Sequence, residues 1–432
     1  STSNRTRAVV THIPISNMVS MASKAGIVGV VVIGILYQFV FKTLVFDVLG
    51  VSRKVDSIKA YSHVRCEKID KLGLEGCEDM WMHEKTGYLY MACSDTKSRR
   101  EWLPAIDHLN AHGRTRKDRV AVVDTRESGP LSSRIQWLAV ENFTGVNGEG
   151  ALDLHGLDIR ADDNFDTLRI LLVNHRPAVD AVTGELLDSE EVGANSTIEQ
   201  FQTTVGSSTM RYVRTYAHDV IQTPNRVAWV NDHSFVFTND HSGKVGIRRV
   251  LDPLLGGGSV GYCDQNSCNV AYSEGFNFPN GLVRGSDGLI YVPNSIKTEL
   301  AVFRLTKDHL LEKFHVIKDL LPMDNLSVDG KGDIYAASFP RSYMFARSTK
   351  DPFNIDPPSG VVKISRAGKG YQGTSRRADA GNWDDGEYIV EKFMEDDGSV
   401  LPASTIAVHD SQTGRVFLGG ALSPFITICE TR

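Results

Sequence analysis

The stretch Gly332-Asp333-Ile334-Tyr335-Ala336 is one of six similar stretches that decide the fold. Each combines a polar tight turn with a strand rich in apolar residues, and a second strand lies shortly before each turn. The other five copies are Gly87-Tyr88-Leu89-Tyr90-Met91-Ala92, Leu168-Arg169-Ile170-Leu171-Leu172-Val173, Ser234-Phe235-Val236-Phe237, Gly288-Leu289-Ile290-Tyr291-Val292 and Gly414-Arg415-Val416-Phe417-Leu418. Blades of four strands take roughly 40–50 residues each. Six such units therefore predict an all-β, six-bladed β-propeller, with a double β-sandwich as the alternative.

Composition is that of an ordinary globular protein. Of the 432 residues 41% are hydrophobic and 23% are charged, which supplies enough apolar material for a large core. The formal net charge of −6 argues against nucleic acid as a main partner.

The amino-terminal region differs from the rest of the chain, because residues 25–41 carry no charge. The apolar stretch is about as long as the roughly 17–25 residues that a membrane helix needs. Basic residues precede it and no acid does, which favours a cytoplasmic amino terminus and a translocated body. We therefore predict a polar tail over 1–23, a single-pass transmembrane signal anchor over 24–48, a linker over 49–64 and a lumenal or extracellular propeller over 65–432. A cleaved signal peptide and a buried core helix are the alternatives.

Six cysteines fit an oxidising compartment. Cys66 and Cys429 lie near the two ends of the body, which meet in one sheet of a closed ring, so a disulfide there would lock the closure. Two further disulfides between cysteines that are close in sequence are also possible, namely Cys263 with Cys268 and Cys77 with Cys93. Sequons at Asn142 and Asn195 predict a glycoprotein.

Side-chain oxygens recur where the innermost strand of a predicted blade begins. They belong to Glu78, Asn225, Asn280, Asp324 and Asn325. Residues at equivalent positions of a propeller converge on its axis, and calcium takes six to eight oxygen ligands. The absence of cysteine or clustered histidine from this set disfavours zinc and copper. Asn and Asp also cap turns, which is the alternative for each residue taken singly.

His155 and His175 belong to the same predicted blade. One lies at the channel mouth and the other just past the neighbouring strand, so the two rings could touch. A histidine held by a second histidine can act as a general base near neutral pH. A structural role is the alternative for each of them.

These features together resemble the paraoxonase/arylesterase family of calcium-dependent lactonases, over roughly residues 66–429. The motifs that carry the resemblance are Cys77-Glu78-Asp79, His155-Gly156, Val173-Asn174-His175, Thr238-Asn239-Asp240-His241, Glu274-Gly275-Phe276-Asn277-Phe278-Pro279-Asn280-Gly281, Asp324-Asn325-Leu326-Ser327-Val328-Asp329 and Ser404-Thr405-Ile406-Ala407. The resemblance implies a retained hydrophobic amino-terminal segment and a disulfide between Cys66 and Cys429 that closes the ring.

The resemblance also implies site residues. A catalytic calcium would be held by Glu78, Asn225, Asn280, Asp324 and Asn325. His155 and His175 would form a histidine dyad. A second, structural calcium would use Asp79, the backbone carbonyl of Leu157 and an acid at position 226.

Position 226 departs from the family pattern, because it is an arginine in this chain. An arginine cannot ligate a cation, so we expect the second calcium to be absent and the Arg226 guanidinium to pair with Asp79. Two smaller departures, Ser338 for a cysteine and Phe339 for a histidine, fall where the substrate pocket is shaped.

The predicted function is calcium-dependent hydrolysis of lactones and aryl or carboxylic esters. Calcium would polarise the carbonyl and His155 would deprotonate a water molecule, with His175 orienting it or relaying the proton. Asp324 is the rival base or nucleophile. The alternatives are another propeller hydrolase, of the gluconolactonase or phosphotriesterase type, and a non-catalytic binding propeller in which calcium is a structural plug.

Overall fold

Six sheets of four or five strands form a ring in this computed structural model. The structure describes residues 15–145, 148–164, 166–368, 382–384, 386–401 and 403–431. The innermost strand of each sheet packs against that of the next, and the sixth packs against the first. The predicted all-β, six-bladed propeller is therefore confirmed.

The blades follow one another in chain order, and the strands of each blade run from the axis outward as follows. Blade one contains Asp79–His83, Tyr88–Cys93, Arg119–Asp124 and Ile135–Trp137. Blade two contains Leu154–Ala161, Thr167–Asn174, Thr197–Thr204, Thr209–Tyr216 and Ala139–Glu141. Blade three contains Pro224–Asn231, Ser234–Asn239, Ser259–Cys263 and Cys268–Tyr272. Blade four contains Val283–Arg284, Ile290–Asn294, Glu299–Leu305 and Leu311–Ile317. Blade five contains Met323–Val328, Ile334–Ser338, Ser359–Arg366, Tyr388–Asp396 and Asn382–Asp384. Blade six contains Ile406–Asp410, Arg415–Gly419, Ile426–Thr431 and Val64–Ile69.

Blade six closes the ring, because its outermost strand comes from the other end of the body. Val64–Ile69 pairs antiparallel with Ile426–Thr431, and Cys66 lies directly opposite Cys429. A disulfide joins these two cysteines across a sequence separation of 363 residues. The structure also contains the disulfides Cys77–Cys93 and Cys263–Cys268.

The hydrophobic core lies between adjacent blades. In the strand Thr167–Asn174, Leu168, Ile170 and Leu172 pack towards blade one. The alternate residues Leu171 and Val173 pack towards blade three. Because successive side chains of a strand point to opposite faces, a strand buried on both faces needs apolar residues at nearly every position. This explains the nearly continuous apolar runs in the repeated stretches.

The amino-terminal segment is helical. An α-helix covers Ile15–Leu36, and π-helical turns cover Tyr37–Phe41 and Thr43–Val48, so the helix begins before the predicted anchor boundary at 24. Within the described part of the chain, none of the helices combines the length and the hydropathy that a membrane crossing requires. Residues 1–14 of the predicted tail lie outside the described residues, and the boundaries of tail, anchor and linker stay predictions.

The other described helices are short; Ile58–Ala60 precedes the first strand and the rest lie in the connections between strands. They are Ile58–Ala60, Thr96–Arg99, Pro104–Ile106, Ala111–Gly113, Leu131–Ser133, Ser189–Val192, Ile247–Val250, Asp252–Leu255, Ser295–Lys297 and Ser342–Ser348. A small hairpin of Trp102–Leu103 and His108–Leu109 lies in the connection within blade one. Several of these connections cover the end of the channel where the innermost strands begin.

Candidate active site

The residues at the beginnings of the innermost strands meet at one mouth of the central channel, because these strands run in the same direction. They line the floor of a cavity of about 380 Å³. The polar residues on this floor are Glu78, His155, Asn225, Asn280, Asp324 and Thr405. The structure therefore brings together five of the predicted site residues, and Asn325 lies directly beside them through its contacts with Glu78.

The walls of the same cavity are largely apolar. They are formed by Leu44, Val48, Leu49, Leu103, Ile106, Phe278, Ile296, Phe339, Phe345 and Leu422, among others. His241, Ser295 and Ser342 add a few polar groups to this lining, but apolar side chains predominate, so a molecule that enters meets mainly apolar surface.

Glu78 is held between blades five and six. The Asn325 side-chain amide donates to Oε1 of Glu78 at 3.1 Å, and the Thr405 hydroxyl is 3.2 Å from Oε2. The same two side chains also donate to the backbone carbonyl of Glu78, at 3.2 and 3.0 Å. Glu78 is 2% exposed, so its carboxyl is fixed in orientation as well as buried.

Three buried amide oxygens at this site have no hydrogen-bond partner, namely Oδ1 of Asn225, Asn280 and Asn325. Buried polar atoms are normally satisfied, so three orphaned acceptors together require an explanation. The amide nitrogen of Asn225 lies 3.3 Å from Nε2 of His155, and that of Asn325 is used by Glu78, which leaves the oxygens free. Oxygen atoms presented in this way fit an oxygen-coordinated cation such as calcium.

Burial disfavours the charged form of both carboxyl groups of the floor. Burial, with a smaller contribution from the nearby Asp79, raises the pKa of Glu78 to about 7, although the charge of Arg99 and the hydrogen bonds from Asn325 and Thr405 act in the opposite direction. Burial raises the pKa of Asp324 well above its usual range, and Glu78 adds to this effect. A bound cation would reverse the trend, because it favours the charged form of both groups. Among the described residues no three His, Cys, Asp or Glu side chains form a metal-binding group, so the additional oxygens at this site come from amides.

His155 and His175 form a neighbouring pair with ring centroids 5.0 Å apart. Burial lowers the pKa of His155 well below its usual value and lowers the pKa of His175 to about 4, so both rings are neutral at pH 7. Nε2 of His155 faces Asn225, and Nδ1 of His175 lies 2.9 Å from the Ser196 hydroxyl. The remaining nitrogens, Nδ1 of His155 and Nε2 of His175, have no partner. Each ring of the pair thus keeps one nitrogen free of protein hydrogen bonds.

Glycine follows two of the site residues because the innermost strands approach each other closely. A Cβ atom at Gly281 would collide with the Asn325 side chain, and one at Gly156 would collide with the backbone of Asn225. The pairs Asn280-Gly281 and His155-Gly156 thus place a functional side chain beside a position that admits none.

Asp79 and Leu157, predicted for a second metal site, lie apart from the cavity floor. Asp79 is fully buried, and its carboxylate accepts the backbone N–H of Leu157 at 2.8 Å. Leu157 thus turns its N–H, and not its carbonyl, towards Asp79. Arg226 occupies the other side of this carboxylate.

Several residues of the site were not predicted from the sequence. Thr405 belongs to the motif Ser404-Thr405-Ile406-Ala407, but its contact with Glu78 depends on the closing of the ring. Ser196 contacts His175 from the residue just before the strand Thr197–Thr204, and the sequence pattern there indicated only a sequon. Leu44 and Val48 line the cavity although they belong to the predicted membrane segment. No local pattern signals such long-range contacts.

The fold and the floor define this protein as a β-propeller with a polar, oxygen-rich site at one end of its axis. The family model described as Arylesterase matches residues 117–423, and the chain therefore belongs to the Arylesterase family. This confirms the predicted relationship to paraoxonases and arylesterases.

Known relatives of this chain are distant in sequence. The chain is 23% identical over 251 residues to serum paraoxonase/arylesterase 1 of Mus musculus, a match that covers 57% of this chain and 63% of the mouse protein. It is 26% identical over 263 residues to serum paraoxonase/arylesterase 2 of Homo sapiens, covering 60% of this chain and 63% of the human protein. The matches thus span less than two thirds of these relatives. A solved structure of a gluconolactonase from Xanthomonas campestris aligns with a TM-score of 0.45 and 13% identity, covering 88% of this chain and 94% of the other.

Proposed function

We propose that this protein is a calcium-dependent hydrolase of lactones and of aryl or carboxylic esters. The observation that carries the proposal is the floor of the cavity, where three unpartnered amide oxygens and two buried carboxyl groups lie beside a histidine pair. Membership of the Arylesterase family supports the reaction class.

Five residues would hold one calcium ion through side-chain oxygens: Glu78, Asn225, Asn280, Asp324 and Asn325. When bound, calcium would polarise a substrate carbonyl and stabilise negative charge on its oxygen. Hydrogen bonds from the Thr405 hydroxyl and from the Asn325 amide nitrogen orient the Glu78 carboxyl beforehand. Such fixed donors and acceptors need no reorganisation during the reaction.

His155 is assigned the role of general base in this proposal. Its Nε2 points to the side of the ring on which Asn225 lies, so a water molecule on the cavity floor is within its reach. The proton gained at Nε2 can be compensated by release of the proton at Nδ1 towards His175, whose Nε2 is free. Ser196 fixes the His175 ring through Nδ1. Asp324 remains the rival base, since its raised pKa also suits proton transfer.

The wall composition favours apolar substrates. Phe278, Phe339 and Phe345 line the cavity, and Phe339 and Phe345 stack with ring centroids 4.1 Å apart. Burial of a methylene group on such a surface contributes about 0.8 kcal/mol, so affinity should rise with acyl chain length. A sugar-acid lactone would leave several hydroxyl groups against apolar walls and should be hydrolysed less well.

The test measures hydrolysis of aliphatic γ- and δ-lactones, gluconolactone and phenyl acetate by the purified protein, with calcium, with chelator, and after calcium is restored. The amino-terminal segment is retained, since Leu44 and Val48 line the cavity. We expect activity that disappears on chelation, returns with calcium and is highest on aliphatic lactones. Absence of all activity in the folded, calcium-loaded protein would refute the proposal in favour of a binding propeller. Preference for gluconolactone would favour a sugar-acid lactonase.

A histidine variant separates the two candidate bases. His155→Gln should lower kcat at least about 100-fold, as expected for loss of a general base, while calcium binding is retained. His83→Gln is the matched control, because His83 is also buried, at 3% exposure, but lies outside the cavity. Full activity of His155→Gln would remove His155 from this role and leave Asp324.

We further propose that the amino-terminal helix holds the catalytic body at a membrane, facing the lumen or the cell exterior. Large apolar side chains are exposed along it, including Ile27 at 62%, Val30 at 71% and Ile33 at 68%. Exposed apolar surface of this extent indicates an apolar partner. Recovery of the protein in the soluble fraction of cells after gentle lysis would contradict this.

A further inference from the structure

A buried ion pair lies one residue beyond the cavity floor along the innermost strands of blades one and three. Its members are Asp79, which is fully buried, and Arg226, which is 3% exposed. Nε of Arg226 donates to Oδ2 of Asp79 at 2.7 Å. They follow Glu78 and Asn225 directly in the sequence, so the pair lies just beneath the proposed calcium site.

The ion pair connects five blades around the axis. Asp79 belongs to blade one and accepts the N–H of Leu157 in blade two at 2.8 Å. Arg226 belongs to blade three, and its Nη1 donates to the carbonyl of Leu326 in blade five. The same nitrogen lies 3.4 Å from the carbonyl of Leu282, at the beginning of blade four. The contacts that Arg226 makes with the Asp79 carboxylate and with the carbonyls of Leu282 and Leu326 are ones that a central cation could otherwise provide by collecting these oxygens.

The residues around Asp79 do not fit a calcium ion. Oδ1 of Asp79 accepts the N–H of Met80 at 2.9 Å, and Oδ2 accepts those of Leu157 and Arg226. Calcium requires six to eight oxygen ligands, and a permanently charged guanidinium in contact with the carboxylate would repel it. The family resemblance implies a structural calcium at this place, and the structure disagrees with it.

We infer that the guanidinium of Arg226 takes the place of a structural cation, so that the centre of this propeller is held without metal. Among the residues that the structure describes, one calcium site then remains, and this site rests on the proposed function. Calcium then stabilises the fold by mass action through that site, and not through a second ion beside Asp79. Removing calcium should therefore inactivate the protein and lower its stability by the binding free energy of that one site.

The first experiment counts bound calcium by atomic emission after gel filtration in calcium buffer. The wild type should carry one ion per chain, and the double variant Glu78→Gln/Asp324→Asn, which keeps the side-chain shapes, should carry none. The thermal midpoint of the double variant should be the same in calcium and in chelator. Two ions in the wild type, or a double variant that calcium stabilises, would overturn the inference. No ion in the wild type would refute the calcium of the proposed function and would support a metal-free axis.

The second experiment breaks the ion pair. Arg226→Met leaves a buried carboxylate unpaired and should lower the folding equilibrium constant about 100-fold or more, equally with calcium and with chelator. The double variant Asp79→Asn/Arg226→Met should recover part of this loss and provides the comparison if the single variant does not fold. Arg160→Met is the matched control, because Arg160 also lies 2.7 Å from a carboxylate, that of Asp232, but at an exposed site. If Arg226→Met lowers the free energy of unfolding no more than Arg160→Met does, the inference is wrong.

Discussion

Protons and calcium should compete for the floor of the cavity. Burial raises the pKa of Glu78 from its usual 4.5 to about 7 and raises the pKa of Asp324 well above its usual range. A carboxyl group with a raised pKa is protonated in the cation-free protein and must release its proton to become a ligand. The apparent dissociation constant for calcium should therefore fall as the pH rises.

The size of this effect follows from the pKa of Glu78. With a pKa of about 7, Glu78 is roughly 90% protonated at pH 6 and roughly 10% protonated at pH 8. This group alone should make the calcium dissociation constant about tenfold larger at pH 6 than at pH 8, and Asp324 should add to the difference. A glutamate with its usual pKa would change the constant by less than about 5% over the same range.

Isothermal titration of the chelator-treated protein with calcium measures both consequences. Titrations at pH 6 and pH 8 give the dissociation constants, and titrations at pH 6 in buffers of different ionisation enthalpy count the protons released, for which we expect between one and two. Asp153→Asn is the control: burial raises the pKa of Asp153 to about 7 as well, but it is not a proposed ligand, so this variant should keep the dependence. Equal dissociation constants at the two pH values without proton release would refute the reasoning.

Two further predictions concern stability. Replacing Cys66 and Cys429 by alanine opens a loop of 363 residues and should cost about 6 kcal/mol by the loop-closure relation, measured by urea unfolding. Removing the disulfide Cys77–Cys93, which closes a loop of 16 residues, should lower the free energy of unfolding by about 3 kcal/mol. A larger loss for this disulfide than for Cys66–Cys429 would contradict the relation. Burial lowers the pKa of His175 to about 4 in the folded protein. Between about pH 6.5 and pH 4, His175 is therefore protonated in the unfolded chain but neutral in the folded chain. Stability should therefore fall by about 2 kcal/mol between pH 6.5 and 5 on account of this group, and His175→Gln in chelator should lose that part of the dependence.

The ring of blades could be predicted because its signals are local. The alternation in Leu168-Arg169-Ile170-Leu171-Leu172-Val173 reports a strand buried on both faces, and repetition of such strands after tight turns implies a propeller. The floor of the cavity followed from the same regularity, because equivalent positions in a ring must converge. The pairing of Arg226 with Asp79 could be expected as well, since each residue follows a site residue by one position.

The walls of the cavity could not be predicted in this way. Phe345 comes from the short helix Ser342–Ser348, and Val48 comes from the end of the amino-terminal helix. Both reach the cavity through tertiary packing of segments that carry no repeat. The unpartnered oxygen of Asn280 is also beyond sequence reasoning, because it depends on which amide atom each neighbour uses.

Because the strand that closes the ring pairs with the last strand of the chain, closure must wait until the newly made chain is almost complete. Val64–Ile69 is synthesised early, but its partner Ile426–Thr431 follows only after about 360 further residues, which takes roughly 20–70 s at common rates of translation. Throughout that interval the strand is an unpaired edge, and such edges invite pairing with other chains. The Cys66 thiol stays unpaired during this interval, when Cys77 and Cys93 have already been synthesised. A disulfide between Cys66 and either of them would leave Cys429 without its partner. Such a chain would have to exchange that early bridge before Cys66 could pair with Cys429 and close the ring.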